Sequence, residues 1–212
     1  MKRFVLALPA LALLLAAGGA HAQVSGQYTG AAVLEPNSHL FGAYLDVSNS
    51  TVGLMAQLRL SFYPGVDFGF QGGPSRVDMG SSTIGTVRVG GDFKVAAHRP
   101  NSSAPFDVAA GACLGVETGD NYSLLSLGPT LVVSRTFRPG QAGGTTPYAS
   151  TTLLFTNIDV GSENETDFSV PLRLGADFTA APSLHIVGEV QFRLGDDFRD
   201  TTVFSVGINS PF

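Results

Sequence analysis

The chain has 212 residues, a formal net charge of −5 and 14% charged side chains, with 26 glycines, 12 prolines, one cysteine and no tryptophan. The acidic balance argues against nucleic acid as a partner, and the lone Cys113 excludes an intramolecular disulfide scaffold. The length suits a single domain.

The first residues read MKRFVLALPALALLLAAGGAHA. Lys2 and Arg3 precede an apolar run from Phe4 to Ala17, and Ala20-His21-Ala22 is a small-x-small cleavage pattern. This predicts a secretory leader at 1–22 and a mature domain at 23–212. A retained anchor fits less well, because the run falls short of the ~20 residues of a spanning helix and contains Pro9. No later stretch is apolar for long enough to cross a bilayer as a helix, so a membrane-spanning form would have to be built from strands. Gln23 to Ser38 reads as a polar, irregular lead-in.

Ten runs then suggest strands, at about 39–48, 51–62, 65–71, 82–97, 104–117, 121–136, 146–159, 168–179, 183–195 and 201–210. Turn residues separate them: Pro64-Gly65, Arg99-Pro100-Asn101, Gly119-Asp120-Asn121, Pro139-Gly140, Ala181-Pro182-Ser183 and Gly195-Asp196-Asp197. Most runs alternate with the period of two that puts successive side chains on opposite faces. Run 51–62 sets Val52, Leu54, Ala56, Leu58, Leu60 and Phe62 against Gly53, Met55, Gln57, Arg59 and Ser61. Run 183–195 sets Leu184, Ile186, Gly188, Val190, Phe192 and Leu194 against His185, Val187, Glu189, Gln191 and Arg193. Run 146–159 alternates poorly.

The second faces combine Gly, Ala and Ser with isolated charges of both signs: Arg59, Arg88, Asp92, Lys94, Asp107, Arg173, Asp177, His185, Glu189 and Arg193. A solvent-facing sheet would carry Lys, Glu, Thr and Gln in bulk, yet Lys94 is the one lysine after Lys2. Small residues mixed with pairable charges suit a crowded, closed lumen, with the apolar face turned to lipid. A lone charge there is costly, so Glu189 is expected to pair with Arg173 or Arg193.

The chain ends on TTVFSVGINSPF, where Phe204, Val206 and Ile208 alternate up to a terminal Phe212. With the leader and the alternation, this resembles the outer-membrane β-barrel families, of the porin-like and OmpA/OmpW-like kinds. Ser210 stands where those families carry an aromatic residue. The resemblance implies a C-terminal assembly signal at Phe204, Val206, Ile208 and Phe212. It also implies barrel-assembly machinery, membrane lipid and lipopolysaccharide as partners, and residence in the outer membrane of a Gram-negative envelope.

An even-stranded barrel threaded in this way alternates its loops between two ends. The outer set is expected near 46–50, 72–81, 117–121, 160–167 and 195–200, and holds Asp46, Asp78, Glu117, Asp120, Glu163, Glu165, Asp167, Asp196, Asp197 and Asp200 against Arg76 and Arg199. The inner set, 63–66, 97–105, 135–147 and 179–183, holds Arg99, Arg135 and Arg138 and no carboxylate.

Catalytic chemistry finds little support. His185 and Glu189 share a face but lie ~13 Å apart along a strand. His98 sits in a loop-like AHRPNSS, and no nucleophile–base–carboxylate set is legible. GSENETD could offer Glu163, Glu165 and Asp167 to a cation, but lacks EF-hand spacing and reads as a solvated loop. No cofactor fingerprint is present. The reading is therefore an all-β, closed antiparallel transmembrane barrel of ten strands, with eight as the alternative count, a narrow or plugged lumen, and no catalysis. Its role would be structural, surface-interacting or the passage of a small solute, with no surface ligand legible. The alternatives are a soluble periplasmic β-sandwich or barrel that binds a ligand and, further off, a barrel enzyme acting on lipid.

Overall fold

The computed structural model describes residues 26–78, 83–138, 143–160, 163–194 and 202–212. The expected leader at 1–22 lies outside them. The described residues form β1 (His39–Val47), β2 (Thr51–Tyr63), β3 (Val66–Asp78), β4 (Thr83–His98), β5 (Asp107–Gly119), β6 (Tyr122–Ser134), β7 (Thr145–Thr152), β8 (Leu154–Val160), β9 (Glu163–Ala181), β10 (Leu184–Leu194) and β11 (Thr202–Pro211). Neighbours pair antiparallel around the sheet, and β11 returns to β1, from Leu40 opposite Pro211 to Val47 opposite Phe204. The sheet is closed and has no free edge.

β7 and β8 are one stave. Both lie between β6 and β9, and their registers run on without a shift. The interruption at Leu153 has a local cause. Pro129 of β6 stands opposite Leu153, accepting its N–H at 3.0 Å but offering no N–H in return, and Pro171 of β9 lies beside it. The barrel thus has ten staves, as expected, and the poorly alternating run 146–159 is a genuine stave. Its inward residues, Tyr148, Ser150, Thr152, Leu154, Thr156 and Ile158, simply mix polar and apolar types.

Facing follows the predicted alternation. Val52, Leu54, Leu58 and Phe62 of β2 are exposed on the outside, while Met55, Gln57, Arg59 and Ser61 are buried inside. In β10, Leu184, Ile186 and Leu194 are exposed, and Val187, Glu189, Gln191 and Arg193 are buried. Phe41, Phe62, Phe106, Phe137, Phe178 and Phe212 are exposed near one end of the barrel, where the family would place Tyr and Trp. Phe198 lies outside the described residues.

Two boundaries differ from expectation. β3 does not stop at 71 but runs to Asp78, through Gly72-Gly73-Pro74. The ladder to β4 is continuous there, with Pro74 opposite Val87, whereas the ladder to β2 lacks partners for Gly73 and Pro74. The missing proline N–H thus falls on one side only, and Gly73, over which the Leu54 carbonyl lies, allows the close approach. β9 begins at Glu163 and pairs with β8 as far as Val160, so Glu165 and Asp167 belong to a projecting hairpin rather than a loop. The short turns follow their chemistry: Gly65 has φ of 80° after Pro64, and Asn121 has φ of 53° after Asp120.

An arginine on the outer face near mid-height should be far costlier than one in the lumen. Leu174→Arg and Val190→Arg should each destabilise the folded barrel by about 2–4 kcal/mol in reversible denaturation from lipid vesicles. His185→Arg, inward beside Asp177, should cost little. Equal losses at all three would show that lipid does not distinguish the two faces, and a larger loss at His185 would show them to be reversed.

Candidate functional site in the filled lumen

The inward side chains form charged clusters at different depths. Toward the end where β2 meets β3, Arg59 donates to Asp67 at 2.5 Å and to Asp92 at 2.6 and 3.0 Å. Lys94 lies 3.8 Å from the other oxygen of Asp67. Arg59, Asp67 and Lys94 are almost wholly buried. Toward the opposite end, Arg88 Nε donates to Glu117 at 3.0 Å, and its Nη1 lies 3.9 Å from Asp46. Ser75 donates to Glu117 at 3.0 Å, and Thr86 also donates to it.

These clusters bring together four of the residues singled out from sequence, Arg59, Arg88, Asp92 and Lys94, and add three that were placed elsewhere or passed over. Asp46 and Glu117 were expected in the outer loops. Both are buried in the lumen, because β1 and β5 run to Val47 and Gly119 and the two positions fall on the inward parity. Asp67 was hidden at the start of a strand whose length was misjudged. The acidic outer set is accordingly smaller than expected, and Asp196, Asp197, Arg199 and Asp200 lie outside the described residues. His185 and Asp177 form a separate pair at 2.8 Å. Arg173 donates to Thr152 at 3.0 Å, and Arg193 to Ser169 at 3.4 Å. Asp107 stands apart, as the first residue of β5 at the rim.

Apolar groups fill the space between. Val77, Tyr122, Leu124 and Ile158, with Ile84 and Val160 against them, pack inside the end that carries the β5–β6 turn. Deeper in, Tyr28, Tyr44, Met55 and Val187 form a second group, in which the rings of Tyr28 and Tyr44 stack at 3.8 Å. Gly42 and Gly175 make room: a Cβ at either would collide with the ring of Tyr44 or Tyr148, which lie flat on the wall.

Tyr28 belongs to no strand. The lead-in, expected to be irregular, is irregular but runs inside the barrel. Gln27, Tyr28, Thr29 and Ala31 are buried, and side chains of the wall satisfy its backbone. Glu189 accepts from the amides of Gln27 at 3.1 and 3.2 Å and of Tyr28 at 3.0 Å. Ser134 accepts from the Ala31 amide at 2.8 Å, and Asp67 from that of Leu34 at 3.1 Å. Asn209 donates to the Tyr28 carbonyl at 3.0 Å. Lys94 donates to the carbonyls of Gly30 and Ala32 at 2.8 and 3.4 Å and to the Thr29 hydroxyl at 3.2 Å. The Tyr28 hydroxyl donates to Asp46 at 2.8 Å. Ala31 packs with Ala109 and Val132.

This corrects the expected partner of Glu189. Its hydrogen-bond donors are the two backbone amides and the Tyr148 hydroxyl at 2.8 Å, and Arg173, one of the two expected partners, acts on it through its charge from farther off. Periodicity could reveal the inward face of Glu189 but not a non-strand segment lying against it. The available hint was compositional, a lead-in with Gly26, Gly30, Ala31 and Ala32 that is narrow enough to enter a barrel. A small cavity remains between this segment and the wall, lined by Gly26, Gln27, Gln71, Asp92, Cys113, Thr130, Thr152 and Arg173. Among the described residues, no group of three or more His, Cys, Asp and Glu side chains is placed to hold a metal.

Removing one member of a buried ion cluster leaves the others uncompensated. Arg59→Met should therefore destabilise the barrel by about 3–5 kcal/mol in vesicle denaturation. Adding Asp92→Asn should recover part of the loss. No recovery in the double variant would mean that Arg59 acts through packing alone.

No protein-family model matches the chain, and no curated protein matches it. Among solved structures it is similar to the N-terminal β-barrel domain of Pseudomonas aeruginosa OprF, at 11% identity over 84% of this chain and 98% of that one, with a TM-score of 0.41. It is also similar to an outer membrane channel from Pseudomonas putida F1, at 10% identity over 90% and 100% of the two chains, with a TM-score of 0.47. KdgM porin matches at 12% identity over 82% and 99%, with a TM-score of 0.37. These likenesses are loose, and the fold rests on the ring of strand pairs. A closed ten-stave antiparallel barrel, apolar outside and polar within, has the architecture of a small outer-membrane β-barrel.

Proposed function

We propose that this protein is an integral outer-membrane barrel whose lumen is filled at rest, and that it serves the envelope as a structural or surface-presenting element rather than as a general diffusion pore. The observation that carries the reading is the buried lead-in, held in the lumen by Glu189, Lys94, Asp67, Ser134 and Asn209. Wide aqueous channels have ~16–18 staves, and ten leave a narrow bore even before a segment enters it.

The exposed apolar exterior supports burial in lipid, since a soluble barrel showing Leu54, Phe70, Val89, Leu127 and Val206 to water would aggregate. On this reading the end that carries the β2–β3 turn and Phe212 faces the periplasm, and the β5–β6 and β8–β9 hairpins face outward toward lipopolysaccharide. Phe204, Val206 and Ile208 are exposed along β11, where assembly machinery could read them before the ring closes on β1. No catalytic role and no cofactor is assigned.

Three measurements test this. The mature protein should stay in the outer-membrane fraction after alkaline carbonate. It should migrate differently on a gel before and after heating, because a closed barrel resists unfolding in detergent. In planar bilayers the wild type should rest without steady current. Release by osmotic shock alone would return the reading to a soluble periplasmic protein, and steady porin-like conductance would return it to a diffusion channel.

A further inference from the structure

We infer that residues 26–34 form a displaceable plug, latched at Glu189 and Lys94, whose release opens a cation-preferring path through the barrel. The inference rests on the filled-lumen reading above and deepens it.

A stave is fixed by backbone ladders on both sides, and breaking it exposes backbone to lipid. Residues 26–34 make no ladder. Side chains from β3, β4, β6, β10 and β11 satisfy their amides and carbonyls, and all of these point into the lumen. Water or ions entering the lumen can replace each of those bonds, so the segment can leave while the ring of strand pairs stays intact. The segment connects to β1 at His39, at the end of the barrel where Phe212 stacks on His39 at 5.4 Å, so that end is its way out.

Release would also uncover charges. Lys94 would lose the carbonyls of Gly30 and Ala32 but keep Asp67 at 3.8 Å. Arg59 would keep both Asp67 and Asp92. Arg88 would keep Glu117. The carboxylates fare differently. Glu189 would lose two backbone amides and keep the Tyr148 hydroxyl, and Asp46 would lose the Tyr28 hydroxyl and keep Ser205 and, at 3.9 Å, Arg88. Arg173 lines the same cavity and keeps the Thr152 hydroxyl, so the newly open wall carries Glu189 and Arg173 near mid-height and Asp46 toward the outer end, an excess of one carboxylate that favours cations. Cys113 lines the cavity behind Gly26 and Gln27, so it serves as a native reporter of the plug.

The test uses the full-length protein reconstituted in planar bilayers and in detergent. Deleting residues 26–34 should leave heat-modifiable migration intact. It should produce discrete current steps where the wild type gives none, with a reversal potential on the cation side in a potassium chloride gradient. A small maleimide should then label Cys113 much faster than in the wild type. Glu189→Gln, which weakens one latch, should give intermittent openings. Should the deletion variant fail to fold, a lock decides. In a Cys113→Ser, Glu189→Gln background, Ala31→Cys with Ala109→Cys joins two residues that already pack together. Oxidation should abolish the openings and reductant should restore them. A folded deletion variant that stays silent, a reversal potential on the anion side, or openings indifferent to the lock would overturn the plug. Steady wild-type conductance would instead sink the filled-lumen reading itself.

Discussion

Every feature of this protein depends on the pairing of β1 with β11. In hydrocarbon an unpaired strand edge leaves a row of N–H and C=O groups with no partner, each costing several kcal/mol, so a sheet there must close on itself. Once Leu40 to Val47 are registered against Phe204 to Pro211, the ring is complete and each side chain is committed to the inside or the outside. The alternation in the sequence is therefore a consequence of closure. A one-residue slip in β2, β4 or β10 would turn its inward charges, Arg59, Arg88 and Lys94, or Glu189 and Arg193, toward lipid.

Closure creates a second constraint. Eight staves enclose a bore that side chains can fill, whereas ten enclose more. The chain meets the surplus in two ways. Inward glycines at 42 and 175 let Tyr44 and Tyr148 lie against the wall, and the lead-in enters the remaining space. The stack of Tyr28 on Tyr44 joins these devices, since one ring belongs to the wall and the other to the segment. Filling the bore brings the polar wall out of water, and this is why arginines and carboxylates meet there as pairs.

The staves, their number and their facing were legible in the sequence because the period of two is strong wherever one face is apolar. Legibility failed where a local signal spoke against the tertiary context. Gly72-Gly73-Pro74 has turn chemistry, yet its position in the ring allows it to stay in β3 with only the β2 ladder broken. Asp46 and Glu117 lie one and two residues from the ends of their strands, a distance within which loop and lumen cannot be told apart without the register. Asp120 and Asn121 are legible as a turn, because a two-residue turn leaves no such ambiguity.

The larger miss concerns what the lumen charges do. From sequence, Glu189 and Lys94 looked like members of a network whose partners were one another and the arginines. In the folded chain, part of their valence goes to backbone. Glu189 accepts amides of Gln27 and Tyr28, and Lys94 donates to carbonyls of Gly30 and Ala32. A buried segment outside any ladder has peptide groups that must be satisfied as fully as those of a strand. A carboxylate suits a run of amides, and an ammonium suits a run of carbonyls. The mixed signs of the wall thus follow from the two ends of the peptide group as much as from salt-bridge pairing. A barrel that holds its own lead-in needs both.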